Sequence, residues 1–200
     1  MFRSNPIARA LRKPVHRLAT TLGAIAIVLA STAPSYAQSA KSDSLDALHA
    51  AFLFNFAKFT TWPVVSDLDT SIKFCIQSDT IGQEAFAGWG KKRIQNRPVR
   101  VAFFTTFKPG ELQNCSVTFL SEAPDGVTLK ELRDFANAHN TLLVSDMTGF
   151  GSNGGHIELY ESNRRLRFKV NLGALEKAKL SLGAGVLNLA EIVTTTGEFK

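Results

Sequence analysis

Gly149-Phe150-Gly151-Ser152-Asn153-Gly154 carries the glycine spacing of a dinucleotide fingerprint. That chemistry needs a helix directly after the glycines, so that free backbone N–H groups and the helix dipole face a pyrophosphate. Here the glycines lead into His156-Ile157-Glu158-Leu159-Tyr160, a strand pattern, and they come late in the chain. The spacing therefore predicts a tight glycine loop that opens a hairpin. The remaining titratable residues fare no better. His49, His139 and His156 form no His-x-x-x-His pair, and no His-Glu-x-x-His helix occurs, so a metallohydrolase has no local support. There is no Gly-x-Ser-x-Gly elbow. Asp146 and His156 could meet a serine only through the fold, and any chain of this size offers such accidental triads. Glu158 and Glu161 stand three apart on the hairpin and so point to opposite faces, a poor spacing for paired carboxylates. No catalytic residue, cofactor site or metal site is assigned.

The first 37 residues have the form of an export signal. Arg3, Arg9, Arg12, Lys13 and Arg17 make a basic start without an acidic residue. Leu18 to Ala30 is an apolar run, and Ser35-Tyr36-Ala37 follows Pro34 with small residues two apart. This order predicts a secretory leader cut after Ala37. The apolar run falls short of the ~20 residues that span a bilayer, and no Arg-Arg pair points to the twin-arginine route. The leader holds five of the 23 basic residues and none of the 17 acidic ones, so the exported part is nearly neutral. The net charge of +6 on the whole chain is thus no footprint of a nucleic-acid binder. Lys91-Lys92-Arg93 reads as a solvated turn between a helix and a strand.

Export makes the two cysteines informative. Cys75 and Cys115 are the only ones in the chain, and both lie beyond the leader. An even count in an oxidising compartment argues for a bridge, and only one internal pairing exists. Closing a loop of roughly 40 residues is worth about 4 kcal/mol in the chain-entropy picture. Two buried free thiols are the alternative. A zinc site is not, for lack of close paired spacing.

These residues need elements to hold them. Residues 38–44 are polar and small and predict a disordered start, with one domain over residues 45–200. Asp43 to Thr61 reads as a helix capped by Ser42 or Asp43, with Leu45, Leu48, Phe52, Phe56 and Phe59 at three- and four-residue steps. Leu53 and Phe54 lie off that stripe, so the helix is apolar on more than one side; it is either sandwiched in the core or offers a face to a partner. Asn55 reads as a core amide. Strands follow at residues 72–77, 99–104, 116–120 and 141–145, with helices at 81–90 and 128–140, the latter opened by a Thr128/Glu131 capping box. Residues 156–161 and 165–171 make a hairpin, and 172–193 a last helical region split at Gly183 and Gly185, with Leu182, Val186, Leu189 and Val193 on one stripe. Strands alternating with helices predict an α/β three-layer sandwich with a mostly parallel sheet and a C-terminal hairpin. In the flavodoxin-like order the first strand lies beside the third, which would bring Cys75 near Cys115.

Ala50-Ala51-Phe52-Leu53-Phe54-Asn55-Phe56-Ala57-Lys58-Phe59-Thr60-Thr61-Trp62-Pro63 resembles the opening signature of the YfiR family. The Cys75 strand, Gly90-Lys91, Arg97-Pro98 and the strand opening at Cys115 look similar too. So do Gly149-Phe150, Gly154-Gly155-His156-Ile157, Arg167-Phe168-Lys169-Val170-Asn171, Leu180-Ser181-Leu182 and Val186-Leu187-Asn188-Leu189-Ala190. The resemblance covers nearly the whole exported part. It implies a small periplasmic α/β protein, not an enzyme, that inhibits an inner-membrane diguanylate cyclase by binding its periplasmic sensor domain, and so lowers cyclic di-GMP and biofilm formation. It further implies an OmpA-type outer-membrane lipoprotein that sequesters the inhibitor, and a tendency to form a homodimer. Cys75 and Cys115 match one family cysteine pair. The second pair, in the late loop and hairpin, is missing here, since 149–160 holds no Cys.

The expected function is thus a periplasmic inhibitory binding protein that prefers one state of a membrane receptor. Candidate partner contacts are Phe59, Trp62, Phe150 and Tyr160, aromatics near helix or loop ends. The alternatives are a periplasmic domain that binds a small ligand at the carboxyl ends of its strands, and a cofactor-free enzyme.

Overall fold

The computed structural model describes residues 35–63 and 71–196. The basic start and apolar run of the expected leader lie outside them. Helix α1 (Ser35–Phe59) opens the described chain, followed by β1 (Thr60–Thr61), β2 (Ile72–Gln77), β3 (Arg93–Ile94) and β4 (Arg97–Phe104). Then come α2 (Pro109–Leu112), β5 (Val117–Leu120), α3 (Leu129–His139), β6 (Leu142–Ser145), β7 (Ile157–Ser162) and β8 (Arg165–Asn171). The chain closes with α4 (Leu172–Lys177), β9 (Ser181–Leu182), α5 (Ala184–Leu187) and β10 (Glu191–Val193).

One sheet in the order β10-β8-β7-β6-β5-β2-β4-β3 organises the molecule. Strands β4, β2, β5, β6 and β7 run parallel, in the flavodoxin-like arrangement in which the chain first steps to one side of β2 and then to the other. The β7–β8 hairpin is antiparallel, as is β3–β4 at the far edge. Alternation along the strands fills both faces. Phe74, Ile76, Val117, Phe119, Leu142 and Val144 meet Leu53, Phe56 and Ala57 of α1. On the other face Cys75 packs with Phe135 of α3, and Leu120 and Leu143 pack with Leu132 and Ala136. The α/β sandwich expected from the sequence is the fold.

Local chemistry explains the element ends. Thr128 accepts from the Glu131 N–H while the Glu131 carboxylate accepts from the Thr128 N–H, closing the capping box that starts α3. Asn140 ends the helix at φ 52°, the left-handed conformation asparagine tolerates. Asn163 and Arg164 at φ 52° and 58° form the two-residue turn of the β7–β8 hairpin.

Three expectations need correction. Helix α1 begins at Ser35, upstream of the cap expected at Ser42 or Asp43; Ala37, Gln38, Ala40 and Lys41 are good helix formers and no Gly or Pro interrupts them. The helix expected at 81–90 is a pair of 3-10 turns, Gln83–Phe86 and Trp89–Lys91, because Gly88 breaks the run at φ 76°. The last helical region is instead α4, β9, α5 and β10 in succession. Here tertiary pairing overrides periodicity: Leu182 pairs with Thr60 and Ile192 with Val170.

Candidate functional site

The glycine segment forms the crossover between parallel strands β6 and β7, a task more often given to a helix. Phe150 folds inward and is 1% exposed among Leu120, Leu132, Ala136 and Leu143. Gly155 must lack a side chain, because a Cβ there would lie 2.2 Å from the Phe150 ring. The loop is tied down by its neighbours. The Gly151 N–H donates to Glu158 Oε2 at 3.0 Å, Asn171 Nδ2 donates to the Gly151 carbonyl at 2.8 Å, and Arg133 donates to the Asn153 carbonyl at 2.8 Å. The Gly151 amide is therefore engaged, and β7 rather than a helix follows, as the sequence predicts. Phe150 is a core residue, which corrects its reading as a partner contact: the turns on either side of it aim its ring at the α3 face of the sheet.

Glu158 is 1% exposed and also binds Lys169 at 3.0 Å. Lys169 lies 5.0 Å from the centre of the Tyr160 ring, and the Tyr160 hydroxyl donates to Glu191 at 2.9 Å. Hydrogen bonding to Glu158 raises the Lys169 pKa, and hydrogen bonding to Glu191 raises that of Tyr160. Glu158 thus anchors the loop to the hairpin, while Glu161 is exposed.

The histidines do not converge. His156 is buried and its Nδ1 accepts the Leu143 N–H at 3.0 Å, taking the place of a ladder carbonyl where β6 and β7 begin to diverge. Burial pushes its pKa down to about 4. His139 packs its ring 4.6 Å from that of Phe135. His49 is buried on α1 near Phe119, with Nδ1 unpartnered among the described residues; burial lowers its pKa against the opposing pull of Asp146 and Asp46. No trio of metal-ligating side chains forms among the described residues.

Open α/β sheets bind ligands beside the carboxyl ends of the strands where the order reverses. That place, between β2 and β5, is partly occupied by the protein itself. Gln77 Oε1 accepts from the N–H groups of Ser121 at 2.9 Å and Glu122 at 3.3 Å, the amides that an anionic ligand would need. What remains is an open bowl of about 410 Å³ with Asp79, Thr80, Thr105 and Glu122 on its walls.

The disulfide is present. Cys75 on β2 and Cys115 just before β5 are bonded, with Cα atoms 5.9 Å apart, beneath Phe104, Leu112 and Phe135. The basic run is used locally. Lys92 Nζ lies 4.9 Å from the Phe54 ring centre and 5.6 Å from that of Trp89, and Arg93 donates to the Asn96 carbonyl.

An apolar surface emerges on α1. Leu53, Phe56 and Ala57 face the core, while Leu45, Leu48 and Phe59 of the expected stripe are 40–42% exposed. Phe52 bridges inward to Phe56 and Phe168. Asn55 is exposed and donates to the Ala51 carbonyl, so it is not the core amide its position on the stripe suggested. Leu189 and Ile192, around the edge strand β10, are 74% and 48% exposed. Trp62 is half-buried with Nε1 unpartnered among the described residues, and Tyr160 is half-buried on the hairpin. Of the four candidate contacts, Phe59, Trp62 and Tyr160 thus reach the surface. Leu45 and Leu48 carried a signal in the two-sided helix pattern. Leu189 and Ile192 carried none, because they read as helix.

A family model described as YfiR/HmsC-like matches residues 46–191. No curated protein matches the chain. Among solved structures, a conserved domain protein from Vibrio cholerae O1 biovar El Tor is similar at 11% identity over 75% of this chain, with a TM-score of 0.44. The chain spans 60% of the length of that protein.

Proposed function

The chain belongs to the YfiR/HmsC-like family, and from that premise we propose that it is a periplasmic regulatory binding protein that represses an inner-membrane diguanylate cyclase. It grips the cyclase's periplasmic sensor domain and lowers cyclic di-GMP, and with it biofilm formation. The observation that carries this reading is that Leu45, Leu48 and Phe59 are exposed along one flank of a helix that buries Leu53, Phe56 and Ala57 in the core. Apolar side chains exposed along one stripe of a folded surface offer another polypeptide a place to dock. Phe59 and Trp62 supply aromatic anchors at one end of the row, and Tyr160 a further one on the hairpin. The export signal supplies the periplasmic address. An OmpA-type outer-membrane lipoprotein, or a second copy of the chain, would relieve repression by covering the same surface.

Repression requires preferential binding to the inactive receptor. Moving a two-state receptor from mostly active to mostly inactive takes ~10⁴-fold tighter binding to the inactive form. The deletion experiment tests this in the cell. In a strain that expresses the cognate cyclase, loss of the protein raises cyclic di-GMP; an unchanged level overturns the proposal. Recovery of the cyclase with the protein from solubilised membranes gives the direct readout.

The bowl at the carboxyl ends of β2, β4 and β5 favours a second reading, a small-ligand domain without inhibitory role. A ligand that co-purifies in that bowl, with cyclic di-GMP unaffected by deletion, would establish it.

A further inference from the structure

The face of the molecule opposite α1 holds a cleft that neither the family nor the apolar surface explains. It has a volume of about 370 Å³ and lies between α3, the glycine crossover and α4. Lys130, Arg133 and Lys177 stand on its walls against one carboxylate, Asp134. Asp134 is already paired with Lys130 at 2.6 Å. Arg133 is half-buried and held in place from one side, by the bond to the Asn153 carbonyl. Gly154 makes this possible: a Cβ there would meet Arg133 Nη1 at 2.7 Å and Cδ at 2.8 Å. The crossover is thus shaped to let an arginine lie across it. Lys177 has no hydrogen-bond or ion-pair partner among the described residues. The amide of Asn137 stands on the wall as a further donor, and Ala174 at the foot of the cleft is small and buried.

A concavity with three cations, one anion and a pre-positioned guanidinium lacks a negative charge. We infer that this cleft binds a small oxyanion, a phosphate or phosphate ester, between Arg133 and Lys177. Arginine suits the role because its fork can hold two oxygens at once, with lysine adding a point charge. The volume admits a phosphate with a small organic group attached. A free phosphate ester and a phospholipid headgroup share this chemistry.

The test uses the purified protein at low ionic strength, titrated with inorganic phosphate, with glycerol phosphate and, separately, with phosphatidylglycerol vesicles, followed by amide NMR. Saturable shifts confined to residues 130–137, 153–155 and 174–177 are expected. Lys177→Gln should weaken binding about tenfold, the loss of one charge-assisted contact, and Lys177→Glu should abolish it. Lys177 is exposed, so both variants fold. Tighter binding to vesicles than to glycerol phosphate assigns the source to lipid; the reverse assigns it to a soluble ester. The inference is overturned if none of the three probes binds, if sodium chloride at equal ionic strength gives the same shifts, or if both variants bind as the wild type does. The readout involves no cyclase, so its failure leaves the regulatory proposal standing, and the converse holds.

Discussion

His156 is neutral in the fold because it is buried and because its Nδ1 must accept the Leu143 N–H. The unfolded chain takes up a proton near pH 6.5, whereas the folded one resists it down to about pH 4. Stability from this group is therefore complete above pH 6.5 and is lost as pH falls toward 4. The loss amounts to about 3 kcal/mol across that window. Denaturant melts at pH 7 and pH 4.5 should show it, and His156→Gln, which keeps an acceptor but does not titrate, should flatten the difference. Thr118 gives a change of opposite sign. It is fully buried and its hydroxyl has no partner among the described residues. Thr118→Val removes an unsatisfied group and keeps the branched shape, so stability should rise by about 1 kcal/mol, read as a higher Tm.

Among the elements, α1 has two unlike sides. Its inner side joins the main core, and its C-terminal end is held by the β1–β9 pairing and by Gln95 Nε2, which donates to the Thr60 carbonyl. Its outer side exposes Leu45, Leu48 and Phe59, which bind the receptor under the proposed function. Leu48→Gln and Phe59→Ser, at side chains 40–42% exposed, should lower stability by no more than about 1 kcal/mol. In the cell they should raise cyclic di-GMP toward the deletion level, since truncated interface anchors cost about 2 kcal/mol or more. Unchanged repression in both variants would move the interface elsewhere. The glycine crossover is the other instructive element. Its glycine spacing suggests a nucleotide loop, but Phe150 fills it from within and Glu158 occupies its Gly151 amide. With no cysteine in 149–160, the loop is held by the Phe150 plug and by hydrogen bonds.

On the scale of the whole molecule, the disulfide joins β2, the first strand of the sheet, to the start of β5, the strand on its other side. It closes the entire β3–β4 excursion into one covalent loop across the point where strand order reverses. Cys75→Ala and Cys115→Ala should each lower stability by about 2–5 kcal/mol. Because both remove the same bond, the double variant should add little to either. Melting of the oxidised and reduced wild type, alongside the three variants, checks this.

The chain's own pattern determined the central strands β2, β4, β5 and β6 and the β7–β8 hairpin. Short β-branched and aromatic runs at regular intervals, capped helices between them, and two cysteines on neighbouring strands are local signals, and local physics decides them. It also determined that the glycine motif could not be a nucleotide site, since residues 156–160 directly after it alternate with the period of a strand. Tertiary structure alone decided which apolar side of α1 faces water, because a helix apolar on more than one side carries no single intrinsic inside. It decided that Phe150 is core and Phe59 is surface, although both are aromatic residues near an element's end. It decided that residues 172–193 split into strands and turns, since a two- or three-residue strand exists only through the partner it pairs with. The cationic cleft likewise exists only in three dimensions: Arg133, Gly154 and Lys177 stand far apart along the chain and meet because α3, the crossover and α4 converge on one face of the sheet.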